Sequence, residues 1–285
     1  MCGFAGILDL EYQTSESALT ERVNLMDMVT KIGYVRELFE QPSRYLSRWR
    51  YNIRIRAETV REFVNGLKYG SILDVGCGDG SISVPLLASR VRLTLLDISS
   101  HMLTIAGSRV PAEWLPNVSM INEDLLTAKL EANAYDLILC LGLLAHVDSP
   151  SLVAAKIASL VKPGGTVIVQ STDTTHVVTY LVRLCHLLVG LLRPRPYSGN
   201  LLSTEDVVQM FAKHGLRLLA VYRYSLLLPS IGGVFTHDRL YAMVRALFGR
   251  YPLARNSWLG NECLYKFRAT TLGAGDTASA EQRRS

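Results

Sequence analysis

The chain has 285 residues, 49% of them hydrophobic, with a mean hydropathy of +0.19, enough for one large domain with a well-buried core. A net charge of +5 and a pI near 9.0 are too mild to mark a nucleic-acid binder. Five scattered cysteines (Cys2, Cys77, Cys140, Cys185 and Cys263), with no C-x-x-C pair, argue against a disulfide framework or a zinc site and for a reducing compartment.

No basic segment precedes an apolar run at the start, so no secretory signal is expected. No stretch offers the roughly 20 apolar residues of a membrane span. The most apolar run, Val177 to Leu192, is broken by Arg183 and His186. A cytoplasmic location is expected, with peripheral membrane contact left open.

In chain order, residues 1–66 are expected to form an extension and helical cap, 67–270 an α/β domain, and 271–285 a small, polar, disordered tail. From Ser71 the texture changes to short β-rich runs: SILDV (71–75), RLTLLD (92–97), VSMIN (118–122), YDLILC (135–140) and TVIVQ (166–170). A helix opening at Pro150 and ending near Leu160 separates the last two, and Lys162-Pro-Gly-Gly165 reads as a type II turn. Strands alternating with helices imply right-handed crossovers and a parallel sheet. A long helix is expected over about 175–192, then a Pro-rich joint at 193–197. A helix capped by Ser203, with Asp206 at its third position and Gly215 past its end, follows. Strands at about 217–224 and 262–269 complete a doubly wound, seven-stranded, mostly parallel sheet. Between them Thr236 to Phe248 carries an apolar helical face.

The strongest local signal is Ile72-Leu-Asp-Val-Gly-Cys-Gly-Asp-Gly80, an apolar strand running into glycines at 76, 78 and 80. Glycines there allow a tight turn and close ligand approach, and a helix pattern begins at Ser81. The spacing is G-x-G-x-G, with Asp74 two residues before the first glycine. The second strand ends in Asp97, where an acid can grip ribose hydroxyls. Asn122-Glu-Asp-Leu125 follows the third strand and Cys140-Leu-Gly142 the fourth, which places four strand ends along one carboxyl edge.

The set LDVGCGDG, LLDIS, INEDLL, YDLILCLGLLAHV and LVKPGGTVIVQ resembles the class I S-adenosylmethionine (SAM)-dependent methyltransferases over residues 68–170, and the seven-strand pattern extends the likeness to about 268. The resemblance implies a Rossmann-like fold with SAM as cofactor. It places Gly76, Gly78 and Gly80 beside the cofactor's methionine part and Asp74 under its amino group. Asp97, with Ile98 beside it, would serve the ribose, and Asp124 and Leu125 the adenine. Cys77 and Cys140 read as packing residues beside the cofactor. His146, in Leu143-Leu-Ala-His-Val147, overlooks the reaction edge. It reads as a candidate general base or as a hydrogen-bonded pocket histidine. Related quinone-biosynthesis methyltransferases often carry Glu-His here, and Ala145 takes the place of that glutamate. No ligand cluster for a metal is seen.

Two segments bear on the acceptor. His176, Thr179, Arg183, His186, Gly190 and Arg193 form one narrow polar stripe on an otherwise apolar helix. Such a helix can be a buried cap with a solvated stripe, a membrane-interface helix or the wall of a lipophilic pocket. With the apolar run at 226–231 it favours a small, apolar or lipid-linked acceptor, methylated at oxygen. Six arginines between 44 and 61, interleaved with Tyr45, Trp49 and Tyr51, admit an RNA substrate, an anionic small acceptor or a solvated helix face. The CLGL that ends strand four does not resemble the N/D-P-P-Y of nucleic-acid amino-methyltransferases, so nucleic acid is not expected. The alternative of a different class is a non-catalytic binding or scaffold protein on the same fold. Oligomeric state is not legible.

Residues 1–28, beginning Met1-Cys-Gly-Phe-Ala-Gly-Ile-Leu-Asp-Leu10, resemble the start of the asparagine synthase and class II glutamine amidotransferase families, where Cys2 would be the nucleophile. The rest of such a domain is missing, so the segment reads as a fragment in which Cys2 is not expected to work.

Overall fold

The computed structural model describes residues 42–180, 200, 202–225 and 235–270, with the side chains of the first helix described from Arg50 onward. The amidotransferase-like segment, most of the apolar helix, the Pro-rich joint, the run at 226–231 and the C-terminal tail lie outside these residues.

Seven strands form one sheet: β1 (Ser71–Val75), β2 (Arg92–Leu96), β3 (Val118–Ile121), β4 (Tyr135–Leu141), β5 (Val161–Thr172), β6 (Leu216–Tyr224) and β7 (Glu262–Ala269). Their order is β3-β2-β1-β4-β5-β7-β6, with β7 antiparallel to both neighbours and the other pairs parallel. Helices α1 (Pro42–Val64), α2 (Ser100–Arg109), α3 (Pro150–Leu160), α4 (Thr204–Ala212) and α5 (His237–Phe248) cover the two faces.

Alternation along the strands divides the core in two. Ile72, Leu95, Leu139 and Ile168 face Ile55 and Phe63 of α1 and Val244 and Phe248 of α5. Leu73, Val75, Ile138 and Val169 face Val153 and Ile157 of α3 and Val207 and Phe211 of α4. Strands apolar on both faces belong in a sheet covered on both faces. Phe63 and Ile55 are fully buried, and each such side chain stabilises the fold by about 1.5–3 kcal/mol. Helix α1 is therefore part of this core.

Local signals place the helix ends. Ser99, Ser149 and Thr236 each accept a backbone amide three residues on, and Ser203 and Asp206 form a reciprocal capping box.

Two expectations need correction. The segment after the glycine turn is not an α-helix: residues 81–83 are turns, and only a single 3-10 turn, Val84–Leu86, follows. Pro85 has no amide hydrogen to give to an α-helical ladder, and the chain closes a 3-10 turn there instead. The fifth strand also starts five residues earlier than its apolar run. Val161 already pairs with Tyr135, and the register shift before Leu137↔Thr166 absorbs Lys162-Pro-Gly-Gly165 as a bulge within the strand. Gly164 keeps the positive φ of 72° that a type II turn requires.

Candidate active site

Parallel pairing of β1 with β2 and β4 brings the strand ends Val75, Leu96 and Cys140 side by side. Beyond Val75 the chain turns through Gly76, Gly78 and Gly80, all at positive φ. The amides of Gly76 and Cys77 bond the carbonyl of Leu96, at 2.8 and 3.1 Å. The amide of Gly78 donates to Asp97 Oδ2 at 2.9 Å, and that of Ser99 donates to Asp97 Oδ1 at 2.9 Å. Asn122, one residue beyond β3, donates its side-chain amide to the Asp97 carbonyl at 3.0 Å. The ends of β1, β2 and β3 are thus tied to one carboxylate-bearing residue.

Two of the glycines do different work. A Cβ on Gly80 would sit 3.0 Å from the side chains of Val84 and Ala106, so the turn packs directly on α2 there. A Cβ on Gly78 would meet nothing within 4 Å. The turn therefore shows bare backbone to open space at Gly78, beside two buried carboxyl groups, Asp74 and Asp97. Burial pushes Asp74 up to about 7, with Asp97 and Asp79 adding to the rise. Burial also raises Asp97, against the opposing amides of Ser99 and Gly78. Buried carboxyl groups beside exposed backbone suit a ligand with a cationic amino group and sugar hydroxyls, so the residues present fit SAM. The missing helix means that this cradle relies on local amides and carboxylates rather than on a helix dipole.

Of the remaining expected site residues, Ile98 is half-buried between Asp97 and the Ser99 cap. Asp124 is exposed and folds the turn after β3: its Oδ1 accepts from Leu126 at 2.8 Å and its carbonyl from Ala128 at 2.9 Å. Leu125 is buried in the α3-side core. Cys140 is fully buried in that same core, and burial pushes its thiol up to about 12. The side chains of Leu125 and Cys140 therefore point into packing, which leaves their backbone at the edge. Burial likewise raises the Cys77 thiol, foremost, with Asp74 and Asp97 adding to it.

His146 lies in a turn after β4, where its amide bonds the Leu143 carbonyl at 2.8 Å. Asn200 clamps this turn, donating its backbone amide to Ala145 at 3.0 Å and its side-chain amide to the carbonyls of Leu144 and Val147. The clamp spans more than 50 positions of sequence, and no local signal in the chain announced it.

On the far side of β5, residues 177–180 are helical. Here the start of the polar stripe faces inward, against the reading of a solvated stripe. His176 Nε2 lies 2.7 Å from the Trp258 carbonyl, and Thr179, buried, donates to the Asp173 carbonyl and accepts from Asn261. Val177 and Tyr180 are 58% and 56% exposed. Strand-end carbonyls need donors, and the polar side chains turn inward to supply them. Arg183, His186, Gly190 and Arg193 lie outside the described residues. Among the described residues no helix is long and apolar enough to cross a membrane, and no group of three or more metal-binding side chains gathers.

Residues 72–165 match the family model of a methyltransferase domain. With the sheet order and the cradle at its carboxyl edge, this makes the chain an enzyme of the SAM-dependent methyltransferase class, with SAM as cofactor. Among curated proteins it is similar to a ubiquinone biosynthesis O-methyltransferase of Coxiella burnetii, 28% identical over 158 residues, which cover 54% of this chain and 67% of that one. Among solved structures it shares its fold with a SAM-dependent methyltransferase of Thermotoga maritima, at TM-score 0.57 and 18% identity over 82% of this chain and 98% of that one. The magnesium protoporphyrin IX methyltransferase of Synechocystis, solved with bound S-adenosylhomocysteine (SAH), gives TM-score 0.56 and 17% identity, covering 84% of this chain and all of its own.

Proposed function

We propose that this chain transfers the methyl group of SAM to an oxygen of a small, largely apolar acceptor. The observation that carries the reading is the meeting of the glycine turn with the segment leaving β4. The Leu143 side chain lies 3.4 Å from the point a Gly76 Cβ would occupy, so the donor cradle and an apolar wall share an edge. The relative named for O-methylation in ubiquinone biosynthesis supports the same acceptor chemistry.

SAM supplies an activated methyl group on a sulfonium. The protein's part is to bind, to align and to exclude water. Asp74 is assigned to the donor's amino group and Asp97, with Ile98, to the ribose. The backbone at Gly76, Gly78, Gly80 and Cys140 borders the methionine part. Asp124 and Leu125 are assigned to the adenine. His146, held in its turn by the Asn200 clamp, is assigned to take the proton from the acceptor hydroxyl.

The test is a screen of hydroxylated quinones and phenols with labelled SAM, followed by mass spectrometry of the products. A methoxy product supports the reading. Methylation at nitrogen, or SAM binding without turnover on any acceptor, sinks it, and the second outcome favours a non-catalytic binding role.

A further inference from the structure

A second polar cluster lies at the same carboxyl edge, on the face covered by α1, and the fold does not require it. It joins Arg56 of α1, Gln170 and Thr172 of β5, and Glu262 at the start of β7. Gln170 and Glu262 are 2% and 6% exposed. Glu262 Oε1 accepts from the Thr172 hydroxyl at 2.7 Å, and Oε2 accepts from Gln170 Nε2 at 2.7 Å. Arg56 Nη2 stands 3.8 Å from Oε2. Burial raises the Glu262 carboxyl above its usual range, and Arg56, Thr172 and Gln170 oppose that rise in part.

This arrangement fixes the Gln170 amide. Its NH2 donates to Glu262 Oε2, and with Glu262 ionised beside Arg56 an amide oxygen there would oppose the carboxylate. Gln170 Oε1 therefore faces away from Glu262. It is buried and, among the described residues, has no hydrogen-bond partner. A buried acceptor left without a donor destabilises the fold, and apolar packing would have served a purely structural strand end better.

The oxygen lies beside the residue that follows β4. A Cβ on Gly142, the residue after β4, would lie 3.5 Å from Gln170 Oε1 and 3.2 Å from Arg56 Nη1. Gly142 adjoins Leu143, whose side chain abuts the Gly76 turn. The unmet acceptor thus stands one residue from the wall that the donor cradle shares.

We propose that Gln170 is a specificity-determining residue, whose Oε1 takes a hydrogen bond from a protonated hydroxyl of the acceptor, while Glu262 and Arg56 hold the amide in that orientation. The ligand class is a hydroxylated, otherwise apolar small molecule. This inference rests on the reading of the chain as a hydroxyl methyltransferase and deepens it.

The test is calorimetric titration of the full chain saturated with SAH. The probes are a dihydroxynaphthalene and the matching dimethoxynaphthalene, which share the ring and its oxygens and exchange each donor hydrogen for a methyl group, so the change in their ratio between wild type and variant is what reads the hydrogen bond. Wild type is expected to bind the diol at least about tenfold more tightly, the effect of one hydrogen bond. Gln170→Met should bring the two probes within about twofold while SAH affinity is kept. Gln170→Asn, which withdraws the amide by one methylene, should do the same if the methionine variant fails to fold. Equal binding of the probes by wild type, binding of neither, or an equal loss for both in the folded variants would overturn the proposal. Tight diol binding without any methyl transfer would keep this subsite and sink the O-methyltransferase reading, so the two failures are distinguishable.

Discussion

The carboxylate of Asp97 accepts the amide hydrogen of Gly78 at 2.9 Å, and with its second oxygen that of Ser99. One side chain at the end of β2 therefore sets the shape of the glycine turn at the end of β1. In Asp97→Asn the NH2 group would face one of these two amides. SAH affinity is expected to fall about ten- to a hundredfold, as for a lost hydrogen bond to a charged group. Unchanged affinity in a calorimetric titration would remove Asp97 from the site.

The pH dependence of the ligand-free protein reports on Asp74. Its folded pKa of about 7 lies above the unfolded value of about 3.9. A group raised in this way gives its full stability contribution below the unfolded value and loses it as pH rises through about 7. Between pH 5 and 8 the melting temperature should fall with rising pH through this group. Asp74→Asn should flatten that slope and melt higher at pH 8. SAH affinity should move oppositely, weakening about tenfold per unit below pH 7, because the donor's amino group selects the ionised carboxyl. A pH-independent SAH affinity in wild type would contradict the assigned contact.

Gly78 and Gly80 should fail differently. Gly80→Ala places a methyl 3.0 Å from Val84 and Ala106 at φ 68°, and about 1–3 kcal/mol of stability should be lost. Gly78→Val meets only open space, at a backbone strain of roughly 1–2 kcal/mol, and should abolish SAH binding by filling the cradle. Thermal melts with and without SAH separate the two. A Gly78→Val protein that still gains stability from SAH would refute the cradle.

His146→Gln should lower kcat about 10²- to 10⁴-fold with SAH affinity unchanged, the range for losing a general base. Equal loss of SAH binding would instead mark His146 as part of the frame of the β4 turn.

What the sequence determined by itself was local. The ends of β1, β7 and α3, the capping box at Ser203 and Asp206, and the glycine turn all depend on residues within a few positions of one another, where side-chain period, caps and allowed φ act. Helix expectation failed after Gly80, where Pro85 cannot donate to an α-helical ladder and a 3-10 turn forms instead. Tertiary structure decided what long-range pairing brings together. Gln170 and Glu262 are 92 positions apart and meet through the antiparallel register of β5 and β7. The Asn200 clamp on the turn of His146 and the bond from Asn261 to the inward-facing Thr179 arise the same way. Each is a buried or half-buried polar group answered by a partner distant in the chain, and no local periodicity encodes which partner the folded sheet will supply.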